Sequence, residues 1–383
     1  KAGYSTPKPL VPVSGRTMIS RVLESFPQEW PTVFVMAENH LKTDLPAELK
    51  KLRPLGHQLT VPIHNEGPIR AIEEGLSKIP DQAPVLVSYC DYGMVWDPKQ
   101  FERFVQQSGC DICVVSYTGF HAHYLNPQTY AYSRLEGERI VEVKEKGSFT
   151  SNREAEYASC GAYYFKSARL LKEAVKYQRE KKILLNGEYY TSLTVQAALL
   201  MNPELHARVF EIPGFFQWGT PEDLWRFEYW EKTYSAYNSN AGGSPGKVDQ
   251  VLMPMAGLGS RFKDLTEYPK PFIPIDGKPM FLRALDSLPK ARTKTSIVGL
   301  KSFNELLSQH AQPNVQATLL DKTPDGQAFS TQKGIPALNK SKPVLVSSCD
   351  HGIVLNPKIW AQFEQNPDCQ AAIFTVKGFP GTG

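Results

Sequence analysis

Five residues in one short stretch have the types and spacing to hold a polyphosphate. Gly257, Gly259, Ser260 and Arg261 follow an apolar run, Val251 to Met255, and Lys270 lies nine residues after Arg261, between Pro269 and Pro271. The apolar run reads as a buried strand. The glycines let backbone N–H groups approach an anion at a helix start, the arginine offers a planar fork of donors, and the lysine offers a point charge. A triphosphate requires such a set.

Part of this stretch occurs twice. Pro7-Lys8-Pro9 matches Pro269-Lys270-Pro271, and Val13-Ser14-Gly15 matches Ile275-Asp276-Gly277. Further on, PVLVSYCDYGMVWDPK (84–99) matches PVLVSSCDHGIVLNPK (343–358), and Gly67/Gly326, Gly75/Gly334 and Gly119-Phe120/Gly378-Phe379 keep the same spacing. That period is far too long for a solenoid, so the expectation is a duplicated domain. The first copy is placed at 1–237, a flexible linker (NSNAGGSPG) at 238–246, and the second copy at 247–383. The chain starts inside one motif and stops soon after another, which reads as a trimmed piece of a longer protein. The first copy then lacks its Gly-rich loop and the second lacks its later half, so neither carries a full site.

Asp91 and Asp350 each follow an apolar strand and precede a glycine by two residues. A carboxylate at a strand's carboxyl end suits Mg²⁺, which is held by one or two carboxylates plus substrate phosphate oxygens. The plainer alternative is an Asp capping the next turn; the second copy at a matching position favours the metal. Gly67 and Gly326-Gln327 sit in loops that open helices, where a base could lie against the backbone and Gln327 could read its edge. Lys146, at the end of a hairpin, and Glu188, after Asn186-Gly187 at an expected helix start, would suit a phosphate and sugar hydroxyls. Singly, each of these last five is more often a helix end or a solvated charge. His121 and His123 have no partners spaced for a metal. GxxxxGK[ST] is missing, which weakens a P-loop reading, and no Ser–His–Asp arrangement can be argued.

The elements that must position these groups alternate. Helical periodicity over 18–26, 69–79 and 98–107 separates short β-rich runs at 32–37, 85–88 and 110–117, which implies a mostly parallel sheet covered on both faces. In such folds ligands bind beyond the carboxyl ends of the strands. From 129 the pattern changes: a hairpin turning at Glu136-Gly137, a strand at 162–165, and helices over 168–177 and 188–200. A last helix runs to Tyr234, with Thr220 as its cap and Pro221 in its first turn.

With 41% hydrophobic and 21% charged residues among 383, the composition is that of a globular protein. A net charge of +4 leaves no nucleic-acid footprint, and no apolar run is long enough for a membrane span. Cys90 and Cys349 lie in apolar strands as small buried hydrophobes. Cys110 and Cys113 form a lone CxxC without a second pair, which makes zinc an unfavoured reading. A reduced, cytoplasmic setting fits this cysteine usage.

Taken together, these residues resemble the sugar-phosphate nucleotidyltransferases, the sugar-nucleotide pyrophosphorylases. The resemblance rests on Gly257, Gly259, Ser260, Arg261 and Lys270, on Pro7-Lys8-Pro9 in the first copy, and on Gly67, Asp91, Glu145-Lys146 and Gly219 to Leu224. It implies a Rossmann-like, three-layer α/β fold in two tandem copies, the second incomplete. The implied reaction joins an NTP to a sugar 1-phosphate or a similar phosphorylated acceptor with release of pyrophosphate. It also implies Mg²⁺ on Asp91 and Asp350, Arg261 and the loop amides on the departing pyrophosphate, Lys270 and Lys8 at the α-phosphate, and Lys146 on the acceptor phosphate. Neither nucleic acid nor a membrane is an expected partner, and oligomerisation stays open. A role in surface-polysaccharide assembly follows from family habit alone. Many relatives carry an Asp where this chain has Gln217, which keeps a second reading alive: a tandem module that binds nucleotide or nucleotide sugar without turning it over. A glycosyltransferase would need a second acid beside Asp91, and an NAD enzyme a third glycine after Gly259.

Overall fold

The computed structural model describes residues 6–121, 130–239, 246–263 and 265–375. They fall into two compact units, one ending at Glu228 and one beginning at Tyr229. His123, the Gly378-Phe379 pair, residues 1–5 and the linker residues 240–245 lie outside the described residues.

In the first unit, β1 (Pro12–Val13) and β2 (Arg16–Thr17) form a hairpin turning on Ser14 and Gly15, both with positive φ (49° and 80°). Helix α1 (Met18–Glu24) starts where the Thr17 hydroxyl accepts from the Ser20 N–H, and its Arg21 donates to the carbonyls of Val13 and Ser14. A parallel pair follows, β3 (Val33–Ala37) and β4 (His57–Val61), linked through α2 (Leu45–Leu52). Next come α3 (Ile69–Leu76), β5 (Val85–Ser88), β6 (Tyr92–Val95), α4 (Pro98–Ser108) and β7 (Ile112–Tyr117). Helix α4 obeys its end signals: Asp97 caps the Lys99 N–H, Pro98 opens it, and Gly109 closes it with φ 59°. The later half contains the hairpin β8 (Tyr132–Glu136) and β9 (Arg139–Lys144), then β10 (Tyr157–Phe165), α5 (Ala168–Glu180) and α6 (Thr191–Met201). It closes with β11 (Ala207–Glu211), β12 (Gly214–Gln217) and α7 (Pro221–Ser239), which carries the chain into the second unit.

The expected mostly parallel sheet is not what this unit has. Its six-stranded sheet runs β5-β10-β7-β11-β9-β8, with β10 antiparallel to β5, β7 and β8, and only β11 parallel to β7. Parallel neighbours need a long crossover, and the chain between β7 and β11, which carries α5 and α6, supplies one for the single parallel pair of this sheet. Strand β7 is buried at every residue, so its apolar run is the same for either direction of its neighbours.

The second unit repeats the opening hairpin. Strands β13 (Lys247–Pro254), β14 (Pro274–Ile275) and β15 (Lys278–Pro279) come first, and the β14–β15 turn places Asp276 and Gly277 at φ 49° and 72°. Arg283 of α8 (Met280–Ser287) donates to the carbonyls of Ile275 and Asp276, as Arg21 does in the first unit. Then follow β16 (Lys290–Leu300), α9 (Asn304–Gln309), β17 (Val315–Leu320), α10 (Gln327–Gly334), β18 (Val344–Val346) and α11 (Pro357–Glu364). The sheet order is β17-β16-β13-β18 and every pairing is parallel. The apolar run Val251 to Met255 is therefore the central strand and its continuation, fully buried.

The paired glycines at 75 and 334 have a packing cause. A Cβ on Gly334 would lie 2.4 Å from Leu252 Cδ1 and 2.8 Å from Val298 Cγ2, and one on Gly75 would lie 3.2 Å from Val35 Cγ2. Each lets a helix approach its sheet. Gly334→Ala is expected to destabilise the second unit by about 1–3 kcal/mol through overpacking against the central strand, read as a lowered denaturant midpoint with an unchanged m-value.

Candidate active site

Within the second unit, the polyphosphate stretch folds onto the strand-end aspartate. After β13, Gly259 adopts φ 62° and opens a three-residue 3-10 turn, Ser260–Phe262, rather than an α-helix. The anion-holding potential of this loop therefore rests on its own amides, with no long helix dipole behind them. Among the described residues, the N–H groups of 257–261 donate to no backbone carbonyl. A Cβ on Gly259 would lie 2.5 Å from Lys270 Cβ, so the glycine is what lets the loop lie across that lysine. Lys270, at the head of the 3-10 turn Lys270–Phe272, reaches Asp350 Oδ2 in an ion pair, and Ser348 Oγ donates to Asp350 Oδ1 at 2.7 Å. Gln327, the first residue of α10, donates weakly to Ser348 Oγ at 3.4 Å. Gly326 holds φ 100° with open space where a Cβ would point. Gly259, Lys270, Asp350 and Gln327 thus form one linked set. Gly257, Ser260 and Arg261 stand exposed beside it.

Burial alone would push the Asp350 carboxyl up; the Lys270 ammonium and the Ser348 hydroxyl outweigh it and hold the group below the ordinary carboxylate range. Its folded value lies below its unfolded one. The pair's contribution to stability is therefore complete above the ordinary carboxylate range and is lost as pH falls through the depressed value. Lys270→Met is expected to reverse the shift, since burial and the Ser348 contact remain while the cation is gone. A ¹³C-carboxyl NMR titration should find Asp350 titrating above its wild-type value, whereas no upward movement would show that Lys270 does not hold the charge.

The first unit builds the same pair. Lys8 Nζ lies 2.5 Å from Asp91 Oδ2, and both side chains keep contact with solvent. The Asp91 carbonyl is fixed by the Trp218 N–H at 2.8 Å, through the antiparallel pairing of β12 with β6. Gly219 lies between two carboxylates: a Cβ there would be 3.6 Å from Asp91 Oδ2 and 3.7 Å from Asp223 Oδ2. Asp223 is engaged in a capping box, accepting from the Thr220 N–H and hydroxyl while its own N–H donates to Thr220 Oγ1. Gln217 donates to Asp223 and accepts from the Tyr130 hydroxyl. No group of three His, Cys, Asp or Glu side chains converges among the described residues. A divalent cation would therefore find Asp350 in the second unit, or Asp91 with Asp223 nearby in the first, and draw its remaining oxygens from phosphate and water. That donor set fits Mg²⁺.

Elsewhere in the first unit, Lys146 and Glu188 meet at a residue the sequence did not single out. Tyr190 OH accepts from Lys146 Nζ at 2.7 Å and donates to Glu188 Oε2 at 2.5 Å. The hydroxyl contact raises the Lys146 ammonium, with burial opposing it, and burial pushes the Glu145 carboxyl up while Ser192 Oγ donates to it. Glu188 does not start a helix, as its spacing suggested. It closes a tight turn in which Leu185 and Glu188 exchange backbone hydrogen bonds around Asn186 and Gly187, at φ 52° and 83°. Asn-Gly with both residues at positive φ is the signature of a two-residue hairpin turn, and that signal was readable in the sequence.

Gly67 has a packing role that the sequence did not indicate. At φ 83° its missing Cβ would lie 2.7 Å from Tyr189 O and 3.0 Å from Tyr189 N, so protein backbone takes up its Cβ side. The glycine joins the α3-opening loop to the Glu188 turn. Both thiols of the CxxC are free, and the Cys113 contact pulls the Cys110 thiol down to about 7.

The model of the MobA-like NTP transferase domain matches residues 2–152 and again 252–380, and the chain belongs to that family. It is a nucleotidyltransferase, and the resemblance read from the Gly257 to Met280 stretch is borne out at that level. No curated protein matches the sequence. Among solved structures, it is similar to the nucleoside-diphosphate-sugar pyrophosphorylase of Vibrio cholerae RC9, at 16% identity and TM-score 0.48 over 59% of this chain and 93% of that one. It is also similar to HddC of Yersinia pseudotuberculosis, at 16% identity and TM-score 0.41 over 59% and 91%.

Proposed function

We propose that the protein transfers a nucleoside monophosphate from an NTP to a sugar 1-phosphate or a similar phosphorylated small molecule. The supporting observation is the strand-end Lys–Asp pair, made twice: under the Gly-rich loop as Lys270–Asp350, and as Lys8–Asp91 in the unit that also holds Lys146, Glu188 and Tyr190. An acceptor phosphate oxygen attacks the NTP α-phosphorus in line; that P–O bond forms as the bond to the β-phosphate bridge oxygen breaks, and pyrophosphate leaves with the electron pair. Positioning and charge neutralisation supply the catalysis. Asp350 or Asp91 would hold Mg²⁺, which when bound would supply positive charge to the phosphate oxygens. Lys270 or Lys8, released from its carboxylate, turns to the α-phosphate. In the second unit Arg261 and the amides of 257–261 hold the pyrophosphate and Gln327 faces the base; in the first unit Lys146 grips an acceptor phosphate with Glu188 on its hydroxyls.

The matching hairpins, the Arg21 and Arg283 contacts, and the two Lys–Asp pairs support tandem copies at 1–237 and 247–383 joined by 238–246. Six free cysteines accord with a reducing, cytoplasmic setting, and no described helix is long and apolar enough to cross a membrane. A non-catalytic nucleotide-binding role is favoured by one observation, the engagement of Gln217 with Asp223 and Tyr130 where relatives carry a metal-binding Asp. Pyrophosphate release, measured with each NTP, Mg²⁺ and a pool of sugar 1-phosphates, separates the two. Acceptor-dependent release with one NTP is expected; Mg²⁺-dependent nucleotide binding without release would select the binding role.

A further inference from the structure

The end of α5 ties two loops that lie more than a hundred residues apart in sequence. Arg179 Nη1 donates to Glu66 Oε2 at 2.7 Å, while its Nε and Nη2 grip both oxygens of Glu73 on α3 at 2.5 and 2.7 Å. The same guanidinium lies 4.8 Å from the centroid of the Tyr189 ring. The Tyr189 N–H donates to the Glu66 carbonyl at 2.8 Å, and Gly67 packs directly on the Tyr189 backbone. Next to Arg179, the fully buried Gln178 donates to the carbonyls of Ile183 and Tyr190, both at 3.1 Å, and accepts from Thr194 Oγ1 at 2.6 Å. Consecutive residues of one helix end therefore clamp consecutive residues of the turn that presents Glu188 and the Tyr190 hydroxyl. The Arg179 hydrogen bond holds the Glu66 carboxyl below its ordinary range.

We propose that Arg179 is a positioning residue that couples the α3-opening loop, 64–68, to the acceptor-side turn, 186–190, so that ordering either one orders the other. The assignment of 64–68 to nucleotide rests on the resemblance that set Gly67 at a base, and that of 186–190 to acceptor on the proposed function; the mechanical coupling rests on neither. A planar fork is needed to serve two carboxylates while stacking on an aromatic ring, and lysine cannot replace it. Ligand held by one loop then lowers the cost of ordering the other, which gives positive cooperativity between the two substrates.

Hydrogen exchange on the whole chain tests this without turnover. Arg179→Lys is expected to speed exchange in 64–68 and 186–190 together, by about tenfold, a typical size for coupling between sites, with 168–177 and 192–201 unchanged. Glu66→Gln, a change confined to the first loop, is expected to speed exchange at 186–190 as well. Faster exchange in only one segment, no change, or faster exchange throughout the unit would each overturn the coupling. Where pyrophosphate is released, Arg179→Lys should raise the KM for NTP and for acceptor about tenfold with little change in kcat. Silence in that assay with the exchange result intact would count against the proposed reaction and leave the coupling standing.

Discussion

Gly259→Ala is expected to lower kcat/KM for the NTP by about 10²–10³-fold, the loss seen when one preorganised donor to a developing charge is removed. Two effects combine. The residue holds φ 62°, where a side chain costs roughly 1–2 kcal/mol. Its new Cβ would also lie 2.5 Å from Lys270 Cβ, a separation no pair of carbons tolerates, so either the loop lifts or Lys270 moves off Asp350. The rest of the second unit should be untouched, because Gly259 lies in a partly exposed loop beyond the end of β13. The check is pyrophosphate release and NTP binding beside a thermal melt. A melt lowered by only a few degrees with binding lost is the expected pair of results, and retained binding would show that the loop does not carry the triphosphate.

Asp350→Asn should have an effect as large through a different cause. It conserves shape and removes the only carboxylate of the second unit's linked set, leaving a neutral oxygen that binds Mg²⁺ poorly and Lys270 without its ion-pair partner. NTP binding should fall about a hundredfold or more and lose its dependence on Mg²⁺, since metal-assisted charge stabilisation is worth several kcal/mol. Titrating Mg²⁺ at fixed NTP by calorimetry reads this directly, and a variant whose binding still rises with Mg²⁺ would remove Asp350 from the metal. The matched Asp91→Asn, read the same way, measures the first unit's share.

The sequence reading reached residues that carry their own local signal. An apolar run, glycine spacing and a proline-flanked lysine located β13 and the loop that follows it, and Thr220 with Pro221 announced the start of α7. Strand direction was another matter. An apolar strand looks alike whichever way its neighbours run, so the antiparallel β10 between β5 and β7 had no signature in residue type. Pairings across long separations were equally silent. Nothing near Arg179 indicates Glu66, and nothing near Gly67 indicates that the backbone of Tyr189 takes up its empty side. The Glu188 turn could have been found, because Asn186-Gly187 outweighs the helical periodicity that begins just after it.

The most direct measurement of nucleotidyl transfer follows the α-phosphorus itself. NTP labelled at the α-position, incubated with the protein, Mg²⁺ and a pool of sugar 1-phosphates, should pass its label into a product that resists phosphatase and forms only when an acceptor is present. The γ-labelled NTP should deliver its label to pyrophosphate alone. Label that stays in NTP, or that appears as nucleoside monophosphate whether or not an acceptor is added, would contradict the transfer.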